Sequence, residues 1–275
     1  MKTFFFHAGY QPYLKSTIEH ASKNNDVVLI GDDSNKHLGN FNNVQHIDVK
    51  DNYQDIEKFL NLYKHLHTGG RKFEEWCFIR WLAVRNVAKT MNCDNLFYGD
   101  SDNLIFSDLS KVYDTIEKPE LALAIPERQP YFRQSATGEV SYWSLEMLDK
   151  FCNYMIELYD DPFEFRKLLE KWNYHKSNNL PGGVCDMTAL WHFTRKNKAV
   201  IITDLLADDT SFDHSINNPA NYYDDEYKFS NGVKEIEFID NMPYAYNLRH
   251  NKKVKLHNLQ FQGNSKVLID QYKRL

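Results

Sequence analysis

Two aspartates one residue apart, Asp100 and Asp102, close an apolar run that starts at Asn95 (Asn95-Leu96-Phe97-Tyr98-Gly99). A second apolar step, Leu104-Ile105-Phe106, follows at once. Burial of the run pins its backbone and delivers the acids to a defined place at a strand's carboxyl end, the edge where open α/β sheets bind ligands. Carboxylates at i and i+2 repel each other unless a cation stands between them or both face water. A hard divalent ion carrying phosphate oxygens meets that need. Asp-Ser-Asp is also good turn chemistry at a strand end, so the pair alone leaves both readings open.

Other stretches could serve a ligand near such an edge. Leu256 to Lys266 holds an imidazole at His257, a glycine at Gly263 and a cation at Lys266. Pro181-Gly182-Gly183-Val184-Cys185-Asp186-Met187 sets an acid just after a glycine pair, either as a functional group or as a helix N-terminal acid favoured by the dipole. The turn His7-Ala8-Gly9-Tyr10-Gln11-Pro12 follows the first strand and lacks the Gly-rich pattern of a P-loop or dinucleotide fingerprint. Arg80 and Arg85 lie among Trp and aliphatic residues, where an arginine needs an anion or carboxylate partner. Arg80, between Ile79 and Trp81, is favoured for a ligand, with a salt bridge to Asp100 as the plainer alternative.

The acid pair resembles the DxD signature of the GT-A nucleotide-sugar glycosyltransferases, and Ser107-Asp108-Leu109 matches the family's helix start just after it. The C-terminal segment is similar to the closing His, Gly and Lys segment of several GT-A enzymes, including the family-8 type. The resemblance implies a Mn²⁺ or Mg²⁺ ion on Asp100 and Asp102 with His257 as third protein ligand. An imidazole in the set would favour Mn²⁺. It also implies Gly263 and Lys266 at the diphosphate, although Leu259-Gln260-Phe261-Gln262 between His257 and Gly263 departs from the family spacing.

By the same resemblance, Ala8, Gly9, Tyr10 and Gln11 hold the nucleoside. Gly9 lets it approach the backbone, Tyr10 stacks on the base, and Asp32 and Asp33 accept its hydrogen bonds. Arg80 and Ser101 join the donor site. Asp102 and Asp186 are the implied catalytic acids. In inverting members an acid at Asp186 deprotonates the acceptor hydroxyl, whereas in retaining members a polar group there contacts the donor sugar. Asp213 and His214 are lesser acceptor-site candidates.

The elements that must position these groups begin with a βαβ opening: an aromatic strand over Thr3–Ala8, a helix over Tyr13–Ala21 with Pro12 in its first turn, and a buried strand over Asp26–Gly31. A weaker strand spans Val44–Val49. Helical spacing covers Asp55–Leu66 and Phe73–Met91. The acid-pair strand follows, then a helix over Ser107–Ile116 and a strand over Leu121–Ile125. Further on, helices are expected over Leu145–Tyr159, Pro162–Trp172 and Cys185–Arg195, and a strand over Ala199–Thr203. Asp208–Glu226 reads as a long polar functional loop, with two or three short strands after it ending in Lys253–Phe261. The fold class expected is α/β, a GT-A (Rossmann-like), mostly parallel central sheet flanked by helices, with an elaborated C-terminal acceptor half. Residues 1–275 form one domain, 1–126 for the nucleotide sugar and 127–275 for the acceptor and the closing metal and phosphate segment.

Composition bounds the function. A net charge of −5 offers no basic footprint for nucleic acid. Cys77, Cys93, Cys152 and Cys185 show no CxxC pairing and read as free thiols of a reducing compartment. No apolar run approaches a membrane span, and the first residues are too short an apolar stretch for a signal peptide. The expectation is a cytoplasmic enzyme, peripheral to a membrane only through its acceptor. It would move a sugar from a nucleoside-diphosphate donor, UDP- ahead of GDP-sugar, to a glycan or glycoconjugate hydroxyl. The competing readings are an inactive carbohydrate- or nucleotide-binding protein on the same fold and a sugar nucleotidyltransferase. A glycoside hydrolase would need two separated carboxylates. On the leading reading, Asp102→Ala abolishes activity and leaves the melting temperature nearly unchanged.

Overall fold

The computed structural model describes residues 1–52, 54–126, 128–217, 223 and 225–273. The first half runs β1 (Lys2–Phe6), α1 (Pro12–Ala21), β2 (Asp26–Gly31), β3 (Val44–Asp48), α2 (Gln54–Leu62), α3 (Arg71–Thr90), β4 (Asn95–Asp100), β5 (Asn103–Ile105), α4 (Leu109–Thr115) and β6 (Leu121–Ala124). The second half opens with β7 (Thr137–Ser144), α5 (Leu145–Asp160), α6 (Pro162–Ser177), α7 (Asp186–Thr194), β8 (Val200–Ile201) and β9 (Thr210–Ser211). It closes with β10 (Phe229–Ser230), β11 (Val233–Lys234), β12 (Ile236–Ile239), β13 (Met242–Asn247), β14 (Lys252–Leu256), β15 (Asn258–Gln260) and α8 (Ile269–Tyr272).

A seven-stranded sheet in the order β3-β2-β1-β4-β7-β6-β8 forms the frame, parallel except at β7. Strand side chains alternate between faces, and both faces are covered. Phe4 and Val28 pack with Trp81, Leu82 and Phe151 from α3 and α5. Phe5, Val27, Leu29 and Phe97 point the other way, onto Leu14 and Ile18 of α1 and Leu109 of α4. Burial on both sides explains why β2 is an unbroken aliphatic run. Pro12 opens α1, and Asp108 caps α4 by accepting from the Ser110 and Lys111 amides. The expected mostly parallel α/β sheet flanked by helices is the observed architecture.

The second half departs from expectation in three places. β7 has no counterpart in the sequence reading, yet it sits between β4 and β6 and is buried over most of its length. Its polar residues hide it, and each finds a partner: the Trp143 indole donates to Ser141 Oγ at 2.8 Å, and Glu139 meets His214. Gly138 is required there, since a Cβ would lie 2.4 Å from the Trp81 ring. The Asp208–Glu226 loop is also corrected. Ser211 to Ile216 run through the interior, with Asp213 ion-paired to buried Lys234, while 218–222 and 224 lie outside the described residues. Finally, β10 to β15 make six strands rather than two or three, including a four-stranded sheet β12-β13-β14-β9. The helix expected over Asp55–Leu66 ends at Leu62.

For the site, the decisive small element is the ladder of β15 against β5. It lays the C-terminal segment directly alongside the residues that follow the acid pair.

Candidate active site

A cavity of about 830 Å³ opens at the carboxyl end of β4. Asp100, Asp102, Arg80, Asp186, Gly263 and Lys266 all line it. Residues spread over nearly 190 positions of sequence (80 to 266) therefore meet in one cleft.

Arg80 organises one wall. Its Nη1 donates to Asp100 Oδ1 at 2.6 Å and its Nη2 to Asp186 Oδ2 at 2.6 Å. The Trp81 indole also donates to Asp186 Oδ2, at 2.9 Å, and the Tyr98 hydroxyl donates to Asp100 at 3.0 Å. The guanidinium lies over the Trp81 and Tyr98 rings. Burial pushes the Asp100 carboxyl up to about 6 against the pull of Arg80, with Asp102 adding to the rise. The salt bridge to Asp100 is thus the observed arrangement, and the Arg80 side chain also lines the cleft. Arg85, by contrast, is buried against Asp55 and Asp149, away from the cleft.

Asp102, beside it in the cleft, has its own partners from the C-terminal segment. Lys266 Nζ lies 2.9 Å from its Oδ2, and Gln260 Nε2 donates to its Oδ1 at 2.8 Å. Ser101, between the acids, meets His7 Nδ1 at 2.7 Å, which ties the first βα turn to the pair.

His257 does not join them. The Phe106 amide donates to the His257 carbonyl and the Phe261 amide to the Asp102 carbonyl. Along this antiparallel ladder His257 stands four residues from Asp102, roughly 14 Å at strand rise. Its Nδ1 meets Ser107 Oγ at 2.8 Å, its ring packs on Phe212, and its Nε2 is buried without a partner. Burial lowers its pKa to about 3, so the imidazole is neutral. The assignment of His257 as metal ligand is therefore corrected: the ladder register aims it at Ser107 and puts Gln260 against Asp102.

At the neighbouring edge of the sheet, Ala8, Gly9, Tyr10, Gln11 and Asp32 form a braced turn outside this cavity. The Gly9 amide donates to Asp32 Oδ2 at 2.6 Å, and Ser34 donates to Oδ1. Asp32 is thus engaged by its own loop rather than waiting for a base. Asn35 Nδ2 donates to the Gly9 and His7 carbonyls. Tyr10 is 40% exposed, with its ring beside that of His37.

The cavity also holds the acceptor-site candidate His214 together with groups that sequence reasoning missed, Glu139, Glu74 and His67. His214 Nδ1 lies 2.6 Å from Glu139, and both line the cleft. Asp213 is structural, held by Lys234 and accepting from the Gln260 amide at 2.9 Å. Gly183 pairs with His67 in a short bridge, and a Cβ there would lie 2.4 Å from the Leu66 carbonyl. His67 Nδ1 accepts from the Gly69 amide and lies 3.0 Å from buried Glu74. Burial, with Asp186 adding to it, pushes the Glu74 carboxyl up to about 7. No sequence signal marked Glu74 or Glu139, since the first sits in a helix read only for its apolar spacing and the second in a strand the sequence did not reveal.

Glu74 yields a pH prediction. An acid whose folded pKa exceeds its unfolded value holds its proton more tightly when folded, so stability falls as pH rises from about 4.5 to about 7. Glu74→Gln is expected to remove that loss. Urea unfolding should show the variant gaining on the wild-type protein at about pH 8 relative to about pH 5, and parallel profiles would refute it.

No family model matches the chain, and no curated protein does. Solved structures do. Mouse xyloside xylosyltransferase 1, in its apo form, aligns with a TM-score of 0.50 at 10% identity, over 71% of this chain and 82% of that one. The fold is of the GT-A glycosyltransferase type. The galactosyltransferase LgtC, solved with donor and acceptor sugar analogues, aligns at a TM-score of 0.39 and 17% identity over 70% of each chain. Among the described residues no helix is long and apolar enough to cross a membrane.

Proposed function

We propose that this protein is a divalent-metal-dependent glycosyltransferase that moves a sugar from a nucleoside-diphosphate donor, UDP- ahead of GDP-sugar, to a glycan hydroxyl. The observation that carries the reading is the meeting of Asp100, Asp102, Arg80, Asp186, Gly263 and Lys266 in one cleft at the carboxyl edge of the sheet. Asp100 and Asp102 would hold the ion, and the fit rests on two adjoining carboxylates together with a buried amide oxygen, Gln260 Oε1, that lacks a partner. Bound there, a divalent ion supplies Lewis-acid neutralisation of the departing diphosphate. With His257 turned away, the case for Mn²⁺ over Mg²⁺ built on an imidazole lapses, and both ions suit the oxygen donors.

The chain's own groups complete the work. Lys266 has its ammonium on Asp102 and would shift to a diphosphate oxygen, a second anion within its reach. Gly263 presents open backbone beside it. Arg80 holds a fixed positive charge between Asp100 and Asp186 and would counter negative charge developing on the leaving group. Asp186, in the same cleft, would face the transferred sugar. An inverting product would assign it the acceptor's proton, and a retaining product a contact to the transferred sugar.

Titration calorimetry with UDP and with GDP, each with and without Mn²⁺, tests the class. Nucleotide binding that requires the metal is the expected result, with UDP tighter. Absence of any metal-dependent nucleotide binding would sink the transferase reading and leave a binding protein on the same fold.

A further inference from the structure

Among the described residues no three His, Cys, Asp or Glu side chains come together as a metal site. The acid pair supplies two carboxylates, and a Mg²⁺ or Mn²⁺ ion takes its remaining ligands as oxygens. The ladder points to the next protein donor. Gln260 pairs with Asn103 in the β15–β5 register, which sets its side chain against Asp102. The residue is 2% exposed, and its Oε1 is buried without a hydrogen-bond partner.

An ionised carboxylate only accepts hydrogen bonds, so Asp102 draws the NH₂ end of the amide towards itself. A cation seated on the same carboxylate draws the carbonyl end instead. The terminal amide torsion is broad and roughly two-fold. Turning it over exchanges the two atoms and brings Oε1 to the position beside Asp102 that Nε2 holds. The backbone beneath does not need to move: the Gln260 amide is anchored on Asp213, itself ion-paired to buried Lys234.

We infer that Gln260, through Oε1, is the third protein ligand of a divalent cation held by Asp100 and Asp102. The inference rests on the metal reading of the acid pair and adds a consequence to it. A ligand set of oxygens alone selects Mg²⁺ and Mn²⁺ and gives no advantage to ions that prefer nitrogen, such as Co²⁺ and Zn²⁺.

Binding of Mn²⁺, followed by the electron paramagnetic resonance of the free ion with UDP or GDP present, tests it on the full chain. Gln260→Leu is expected to weaken Mn²⁺ by about tenfold or more. Gln260→His is expected to restore binding and move the preference towards Co²⁺ and Zn²⁺, a change that mere positioning of Asp102 would not produce. His257→Gln should leave Mn²⁺ affinity unchanged. Wild-type affinity in Gln260→Leu, an unaltered ion preference in Gln260→His, or a loss in His257→Gln overturns the inference while the metal-dependent reading stands. Failure of the wild-type chain to bind Mn²⁺ at all overturns both.

Discussion

On the proposed function, changing Asp102 to asparagine is expected to cut sugar transfer by about 10²- to 10³-fold, the scale of losing one fixed electrostatic contact to developing charge. The melting temperature should move by only a few degrees. Asparagine keeps the shape of aspartate and one carbonyl oxygen, so Gln260 Nε2 retains an acceptor. Lys266 loses its partner, but with 34% of its side chain exposed it can turn to water. Alanine is the poorer test, contrary to the sequence expectation that it would leave stability nearly unchanged. It strips a buried amide of its partner, at a cost of about 1–3 kcal/mol. Nucleotide release from a panel of nucleotide sugars, measured beside thermal unfolding, separates the outcomes. Wild-type release by Asp102→Asn would remove the acid pair from the chemistry.

Arg80 carries the largest expected effect on stability. Its guanidinium is 14% exposed and is the cation shared by Asp100 and Asp186, whose own side chain is 3% exposed. Arg80→Met leaves both carboxylates without that partner, and breaking a buried pair from one side costs about 3–5 kcal/mol. Urea unfolding should register most of that loss, and a change below about 1 kcal/mol, the range of an ordinary surface substitution, would contradict the account. Arg80→Lys is the informative companion. An ammonium is a point charge that cannot span two carboxylates in the manner of the planar fork. It should recover part of the stability while sugar transfer stays low, because the charge no longer sits between the two acids.

The legible parts of the chain were those whose physics is local. β1, α1 and β2 announced themselves through a continuous aliphatic run and a proline at a helix start. α3 was readable from its apolar spacing, and β4 from the abrupt change of Phe97-Tyr98-Gly99 into acid. β7 was not readable, since Glu139 looks solvent-facing until its partner, His214, is brought from 75 residues away. The stretch from Ser211 to Ile216 was misread for the same reason: its polar side chains are satisfied by residues distant in sequence.

The site divides along the same line. Residue types and their spacing were enough to nominate the acid pair and Arg80, because buried charges and strand-end acids demand partners wherever they occur, and the family resemblance added Asp186 and Lys266. Which partner each receives was decided in three dimensions. His257 and Gln260 lie three residues apart, and composition favours the imidazole as a ligand. The antiparallel register of β15 on β5 reverses that choice, setting Gln260 on Asp102 and His257 on Ser107. A strand register is fixed by hydrogen bonds between segments more than 150 residues apart, here 103–105 and 258–260. The identity of the candidate ligands was therefore present in the chain, whereas their assembly belonged to the tertiary fold.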